Sequence, residues 1–254
     1  MKLIKFLILF LIVGACKPET KTKALKTSEV KQLELKYAKG FSLAYYEDYK
    51  VLNILKPWPK SEKTYSYVIP NVNTSADLNA DVFDATLNHD INKIVVTSTT
   101  HIPALELLGV EHRLVGFPGT EYISSKKTRQ RIDRGKVREL GKNESINTEV
   151  LLELNPDIVV GFGVEGVNKT FETIKKAGIP VIYNGDWVES SALAKAEWIK
   201  FFGVLFNREK EADSIFNQIE RDYIEAKTIA KQAKTQPTVL SGAMHKEVWY
   251  LPNG

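Results

Sequence analysis

The stretch with the most recognisable chemistry is Gly161-Phe-Gly163-Val-Glu-Gly166, with Asp186 twenty residues beyond it. Between a strand and a helix, that spacing describes a dinucleotide loop. Its glycines would let the backbone approach a pyrophosphate, and the acidic side chain would hold a ribose. The protein would then be an oxidoreductase. The strand in front is not the first of its series, which favours glycines that shape some other ligand loop. Four histidines, His89, His101, His112 and His245, offer imidazoles for a metal or for axial ligation of iron or cobalt. For His101 the competing reading is a helix-start residue bonded to its own backbone, and His112 reads as a surface-turn residue. No Ser/His/Asp order with a nucleophile elbow is present, and no phosphate loop. The chain is therefore expected not to be an enzyme, and no cofactor is implied.

Cys16 is the one cysteine, which excludes a structural disulfide and a cysteine-rich metal site. It follows Lys2 and Lys5, an apolar run from Phe6 to Val13, and Gly14-Ala15. A basic start, a short apolar middle and small residues form the secretory pattern. The run is shorter than the roughly 20 residues a membrane-spanning helix needs. Leu11-Ile-Val-Gly-Ala-Cys16 resembles the bacterial lipobox. That implies a signal peptide over 1–15, cleavage behind Ala15, lipid on the Cys16 thiol, and anchoring to a bilayer on its periplasmic or extracellular face. An exported chain would meet little nicotinamide cofactor, a second argument against the dinucleotide reading. Residues 16–32 are rich in Lys, Thr, Glu and Ser and have little to bury, so they read as a flexible tether. The net charge is +4, and removing Lys2 and Lys5 halves it. With no basic stripe interleaved by aromatics, a nucleic-acid partner is not expected.

The elements that must position these residues fall into two grammars. Residues 33–69 carry strand-like alternation, interrupted at Pro57-Trp58-Pro59, and read as an antiparallel hairpin or meander. Residues 71–90 are polar and ambiguous, with one or two helical turns at 81–87 as an open reading, and 33–90 together read as an accessory hairpin region. From Ile91 short apolar strands alternate with helices. Strands are expected at 94–96, 113–115, 157–160 and 180–183, and helices at 102–108, 147–154 and 167–177. That order predicts an α/β fold with a doubly wound parallel sheet. Two longer helices follow, 191–206 and 209–233. Trp198, Phe201, Phe202, Ile215 and Phe216 recur on their core faces at helical spacing. About 25 residues at 1.5 Å rise give roughly 37 Å, more than is needed to cover one strand and suited to a strut between two lobes. Strands at 238–241 and 246–251 would begin a second α/β lobe that cannot bury its own faces, so a C-terminally truncated chain is expected. The expected organisation is a first lobe over 91–206, an interlobe helix over 207–234 and the start of a second lobe over 235–254.

The stretch from Ile94 to Leu251 resembles the ligand-binding lipoproteins of ABC importers for iron–siderophore complexes, haem and cobalamin. In that periplasmic-binding-protein class one rigid helix joins two lobes. The matching pieces include Ile-Val-Val-Thr-Ser-Thr-Thr-His101, Leu-Leu-Gly109, Arg-Leu-Val-Gly116, Val-Arg-Glu-Leu-Gly141 and Ala-Gly-Ile-Pro-Val181. The most distinctive is Asn147-x-Glu149-x-Leu-x-x-Leu154-x-Pro156-Asp157-Ile-Val-Val. The resemblance implies capture of a small-molecule metal chelate or tetrapyrrole between lobes by a monomer, and delivery to a membrane permease. It puts ligand on loops at the carboxyl ends of the strands, which here carry His101, Phe117, Tyr122, Phe162, Glu165, Trp187, His245 and Trp249. It also implies permease docking through Glu149. Related receptors hold bare Zn or Mn on several His and carboxylates, which leaves that reading open. The basic run Lys126, Lys127, Arg129, Arg131, Arg134, Lys136 and Arg138 reads first as a solvated face. A second reading is attraction for an anionic siderophore or lipid headgroups.

Overall fold

The computed structural model describes residues 31–72, 82–166, 168–235 and 237–251, without the side chain of His245. The expected signal peptide, Cys16 and nearly all of the expected tether lie outside the described residues.

Residues 31–90 form a five-stranded sheet in chain order: β1 (Lys31–Gln32), β2 (Phe41–Tyr45), β3 (Tyr49–Ile54), β4 (Tyr65–Pro70) and β5 (Ala85–Thr86). β1 to β4 pair antiparallel, and β5 joins β4 in parallel. Alternating Phe41, Leu43, Leu52, Ile54, Tyr65 and Tyr67 turn inward, all at most 2% exposed. They do not form a core of their own. The same cluster contains the strands and helices that follow, so this region packs as an integral layer where an accessory hairpin was expected.

The second sheet is built from β6 (Ile94–Val96), β7 (Leu114–Phe117), β8 (Arg138–Glu139), β11 (Ile158–Gly161) and β12 (Val181–Tyr183). Between β8 and β11 lie the small hairpin β9 (Gly141–Lys142) and β10 (Ser145–Ile146). All pairings of the five strands are parallel, in the order β12-β11-β6-β7-β8. β6, β11 and β12 are buried along their whole length. Continuous β-branched runs are what a strand covered on both faces requires. The covering helices are α1 (His101–Leu107), α2 (Lys126–Asp133), α3 (Thr148–Leu154), α4 (Lys169–Lys176), α5 (Ala192–Glu197) and α6 (Ile199–Leu205). The single helix expected over 191–206 divides at Trp198, which ends α5 and starts α6.

α7 (Glu209–Lys231) has 23 residues, about 35 Å at the standard rise. Its first half packs on the lobe: Ala212 and Phe216 are buried, and a Cβ added at Gly203 of α6 would lie 2.6 Å from Ala212 Cβ. From Arg221 onward every residue of α7 is exposed, including Tyr223, Ile224 and Ile229. Thr238–Ser241 is not a strand. The terminal hairpin is instead β13 (Ala243–His245) against β14 (Val248–Tyr250). No described helix is long and apolar enough to cross a membrane.

Candidate functional site

The loops after β6, β7 and β11 converge with the tip of the β9–β10 hairpin to form a groove of about 520 Å³. Thr97–Thr99 form one wall, Phe117–Gly119 with Glu121 and Tyr122 another, and Lys142, Asn143 and Glu144 a third. A second recess of about 440 Å³ continues past Phe162 along Gly163–Gly166 to Asn168 and Lys169. The two share Asn143, Glu144 and Phe162. Loops at the carboxyl ends of parallel strands are where open α/β sheets collect ligand, because chain reversal there leaves a crevice with free backbone groups.

Each wall is held by a specific partner. Glu139, at the end of β8, accepts hydrogen bonds from the Gly119, Thr120 and Gly141 amides at 2.7–2.8 Å and from the Thr120 hydroxyl. Partial burial works to raise its pKa, but the Thr120 hydroxyl and these amides outweigh it and hold the carboxyl below its ordinary range. The second wall and the hairpin are thus tied to one carboxylate. Gly119 adopts a left-handed φ of 76°, and the Tyr122 ring lies where a Cβ would project. Thr97 Oγ1 accepts from the Phe162 amide at 3.2 Å. The β3–β4 connection of the antiparallel sheet supports the glycine loop: the ring of buried Trp58 sits 2.6 Å from where a Gly163 Cβ would be. The hairpin tip is fixed by Asn168 Nδ2 donating to Asn143 O and Thr170 Oγ1 donating to Glu144 O.

The glycine loop is not a pyrophosphate cradle. A Cβ at Gly161 would lie 2.4 Å from the Phe171 ring, and one at Gly163 would meet Trp58. Both glycines admit aromatic rings. Gly166 has a left-handed φ of 65° and makes a turn. The amides of Thr170 and Phe171, which a diphosphate would need at the start of α4, are taken by the Asn168 side chain. Among the described residues no three His, Cys, Asp or Glu converge to hold a metal ion.

Of the residues singled out from sequence, Phe117, Tyr122, Phe162 and Glu165 line the two recesses. Phe117 is 1% exposed and forms a floor, whereas Tyr122 is 74% exposed and forms a rim. His101 requires a correction. It is fully buried, its ring 5.5 Å from that of Phe202, and neither ring nitrogen has a hydrogen-bond partner. Burial pushes its pKa down to about 4 against an opposing pull from Asp186, so it is a neutral core side chain and not a ligand contact. Trp187 lies half-buried in the turn Asp186–Val188, outside the groove lining. Trp249 is 47% exposed on the terminal hairpin, where the His245 backbone pairs with Val248. Glu149 is exposed in the first turn of α3, behind the Asn147 cap, where a carboxylate also suits the helix dipole. Cys16 lies outside the described residues.

Much of the basic run is structural. Arg129 donates to Thr120 O at 2.6 Å, Arg131 to His112 O and Leu114 O, and Lys127 pairs with Glu111 at 2.8 Å. Sequence reasoning missed the hairpin tip Lys142-Asn143-Glu144, although a polar triplet between Gly141 and Ser145 is a turn signal. It also treated Pro57-Trp58-Pro59 only as an interruption.

Comparisons with known proteins identify the family. The family model described as "Periplasmic binding protein" matches residues 94–254, more than half of the chain. Uncharacterized lipoprotein MJ0878 of Methanocaldococcus jannaschii is 24% identical over 241 residues, covering 86% of this chain and 56% of its own length. Uncharacterized protein MJ0642 of the same organism is 25% identical over 186 residues, covering 68% and 56%. The chain thus spans about half the length of these curated relatives. Among solved structures, the heme-binding protein RhuT from Roseiflexus sp. RS-1 is 19% identical, with a TM-score of 0.49 over 62% of this chain and 57% of that one. The petrobactin-binding protein YclQ from Bacillus subtilis is 14% identical, with a TM-score of 0.47 over 80% and 54%. On the match of its parallel-sheet lobe, long helix and terminal hairpin to the family model, this chain belongs to the periplasmic binding protein family.

Proposed function

We propose that the protein is the solute-binding lipoprotein of an ABC importer and that the strand-tip groove captures a bulky iron complex, cobalamin or haem. The observation that carries this reading is the pair of recesses meeting at Phe162, which together offer far more room than a bare ion needs. Phe117, Tyr122 and Phe162 supply aromatic surface, and Lys142, Glu144 and Glu165 supply polar contacts. The groove's own residues bind and orient; among the described residues none is arranged to make or break a bond. In this reading Cys16 anchors the protein in the cell envelope, and Glu149 meets a permease. α7 resists large lobe movement because its root is packed, so closure on ligand is small.

Trp58 touches the glycine loop and gives a built-in reporter. Titration with hemin, cyanocobalamin and a ferric hydroxamate should quench tryptophan fluorescence saturably for one of the three. Phe162→Ala should weaken that response by at least about tenfold, the loss of one stacked ring plus its burial. Quenching by NADH alone would restore the oxidoreductase reading, and heat evolved only with Zn or Mn would favour a bare-metal receptor.

A further inference from the structure

A second cavity, of about 190 Å³, shares no lining residue with the groove. Its walls are largely apolar and come from four helices: Pro103, Ala104 and Leu107 of α1, Ala196 of α5, Phe202 of α6 and Ile219 of α7 among them. Two charged side chains complete it. Asp186 is 8% exposed and belongs to the buried end, while Lys195 is exposed and belongs to the mouth. Neither has a hydrogen-bonded ion-pair partner among the described residues.

The polar groups around Asp186 are positioned without being satisfied. The Asp186 amide donates to Asn184 Oδ1 at 2.9 Å, which fixes the turn. Asp186 Oδ1, Asn184 Nδ2, Trp187 Nε1 and both His101 nitrogens have no hydrogen-bond partner. Buried polar atoms are nearly always paired, so an unpaired carboxylate oxygen on a residue that lines the cavity marks a place with a use beyond packing. The nearest imidazole cannot serve as counter-charge, because desolvation keeps His101 neutral. A carboxylate set in apolar walls favours a cation brought by something else.

We infer that this cavity binds a small zwitterion with an apolar body, the chemistry of a free aliphatic or aromatic amino acid. Its ammonium group sits on Asp186, its carboxylate on Lys195, and its side chain against Leu107, Phe202 and Ile219. At about 190 Å³ the space is well under half that of the groove, which suits such a molecule better than a siderophore or tetrapyrrole. A cation alone would leave Lys195 unanswered, and an anion alone would face Asp186. Because Ile219 belongs to α7, the occupant touches both the lobe and the root of the long helix. The site does not depend on what the groove binds.

Calorimetry on the full chain with L-leucine, hexylammonium and hexanoate separates the possibilities. Leucine should bind at least about tenfold more tightly than either single-charge probe, the difference expected for one added charge-assisted contact. Lys195→Ala should weaken leucine and leave hexylammonium unchanged, and Asp186→Asn should abolish both. Because Asp186 is buried and its replacement threatens the fold, Ile219→Trp gives an independent block from the α7 side and should also abolish leucine binding. No heat with leucine up to roughly 10 mM, weaker than any specific site, overturns the proposal. So does hexylammonium binding as tightly as leucine, or leucine binding that survives Ile219→Trp.

Discussion

Glu197 and Glu139 organise two regions of the molecule with the same device, a carboxylate that gathers backbone amides from a distant segment. Glu197, on α5, accepts from the amides of Lys36, Tyr37 and Ala38 at 2.7–2.9 Å, and Lys200 stands 3.2 Å away. Glu139 gathers Gly119, Thr120 and Gly141 at the groove. They differ in surroundings. Glu197 is 0% exposed and Lys200 only 7%, whereas Glu139 is exposed. Around Glu197 the clamp is dense: Glu189 takes the Lys39 and Gly40 amides, and Glu220 takes Lys36 Nζ and the Tyr37 hydroxyl. The segment where the tether would meet the body is therefore riveted to α5 and to the root of α7. The groove carboxylate holds its amides in open surroundings, where water competes for each bond.

That contrast can be broken experimentally, and the largest effect should come from the buried clamp. Glu197→Ala strands three amides and leaves Lys200 with Asp213 as its one remaining ion-pair partner among the described residues, and should cost about 3–5 kcal/mol. At about 2–4 °C per kcal/mol, the melting temperature should fall by on the order of 10 °C in calorimetry. A loss no greater than that of Glu139→Gln would show that burial does not separate the two clamps.

The next effect tests buried ionisation directly. His101 has a folded pKa of about 4 against an ordinary 6.5. Between these values the unfolded chain binds the extra proton, so stability is complete above pH 6.5 and declines as pH falls toward 4. The total is about 3 kcal/mol at 1.36 kcal/mol per unit. Urea unfolding of His101→Phe against pH should lose this part of the slope.

Glu139→Gln should cost only about 1 kcal/mol, the net worth of its hydrogen bonds. Its folded pKa is depressed, so its contribution is present above the ordinary carboxylate range and lost as pH falls through the lowered value. The variant should flatten the acid limb below that of His101 while loosening the Gly119–Thr120 amides to hydrogen exchange. Smallest of all, Ile229→Ala on the open half of α7 should stay within about 0.5 kcal/mol, whereas Phe216→Ala on the packed half should cost about 3–5 kcal/mol. Similar losses at both would mean that the distal half is covered in solution.

Element types were largely legible along the chain. Ile94–Val96, Ile158–Gly161 and Val181–Tyr183 are buried strands where apolar runs indicated them, and α7 ends within two residues of expectation. Phe117, Tyr122, Phe162 and Glu165 reach the groove because loops after parallel strands must. His101 was misread because a loop position does not say which way a side chain turns. Its residue opens α1, and Phe202, a hundred residues away, supplies the apolar wall that takes the ring. The reason for the glycine spacing was likewise tertiary: Phe171 and Trp58 explain Gly161 and Gly163, and Trp58 comes from the β3–β4 connection of the other sheet.

Local pattern by itself determined where strands, helices and reversals fall, because each depends on dihedral preference and burial within a dozen residues. It also placed a parallel α/β sheet ahead of one long helix. Only the tertiary structure decided that the first sheet shares the core, that Glu197 clamps amides 159–161 positions away, and that the Lys142–Glu144 hairpin walls the groove. Those outcomes depend on which distant surface covers which face, a choice settled by mutual packing and hydrogen-bond satisfaction and absent from any local period.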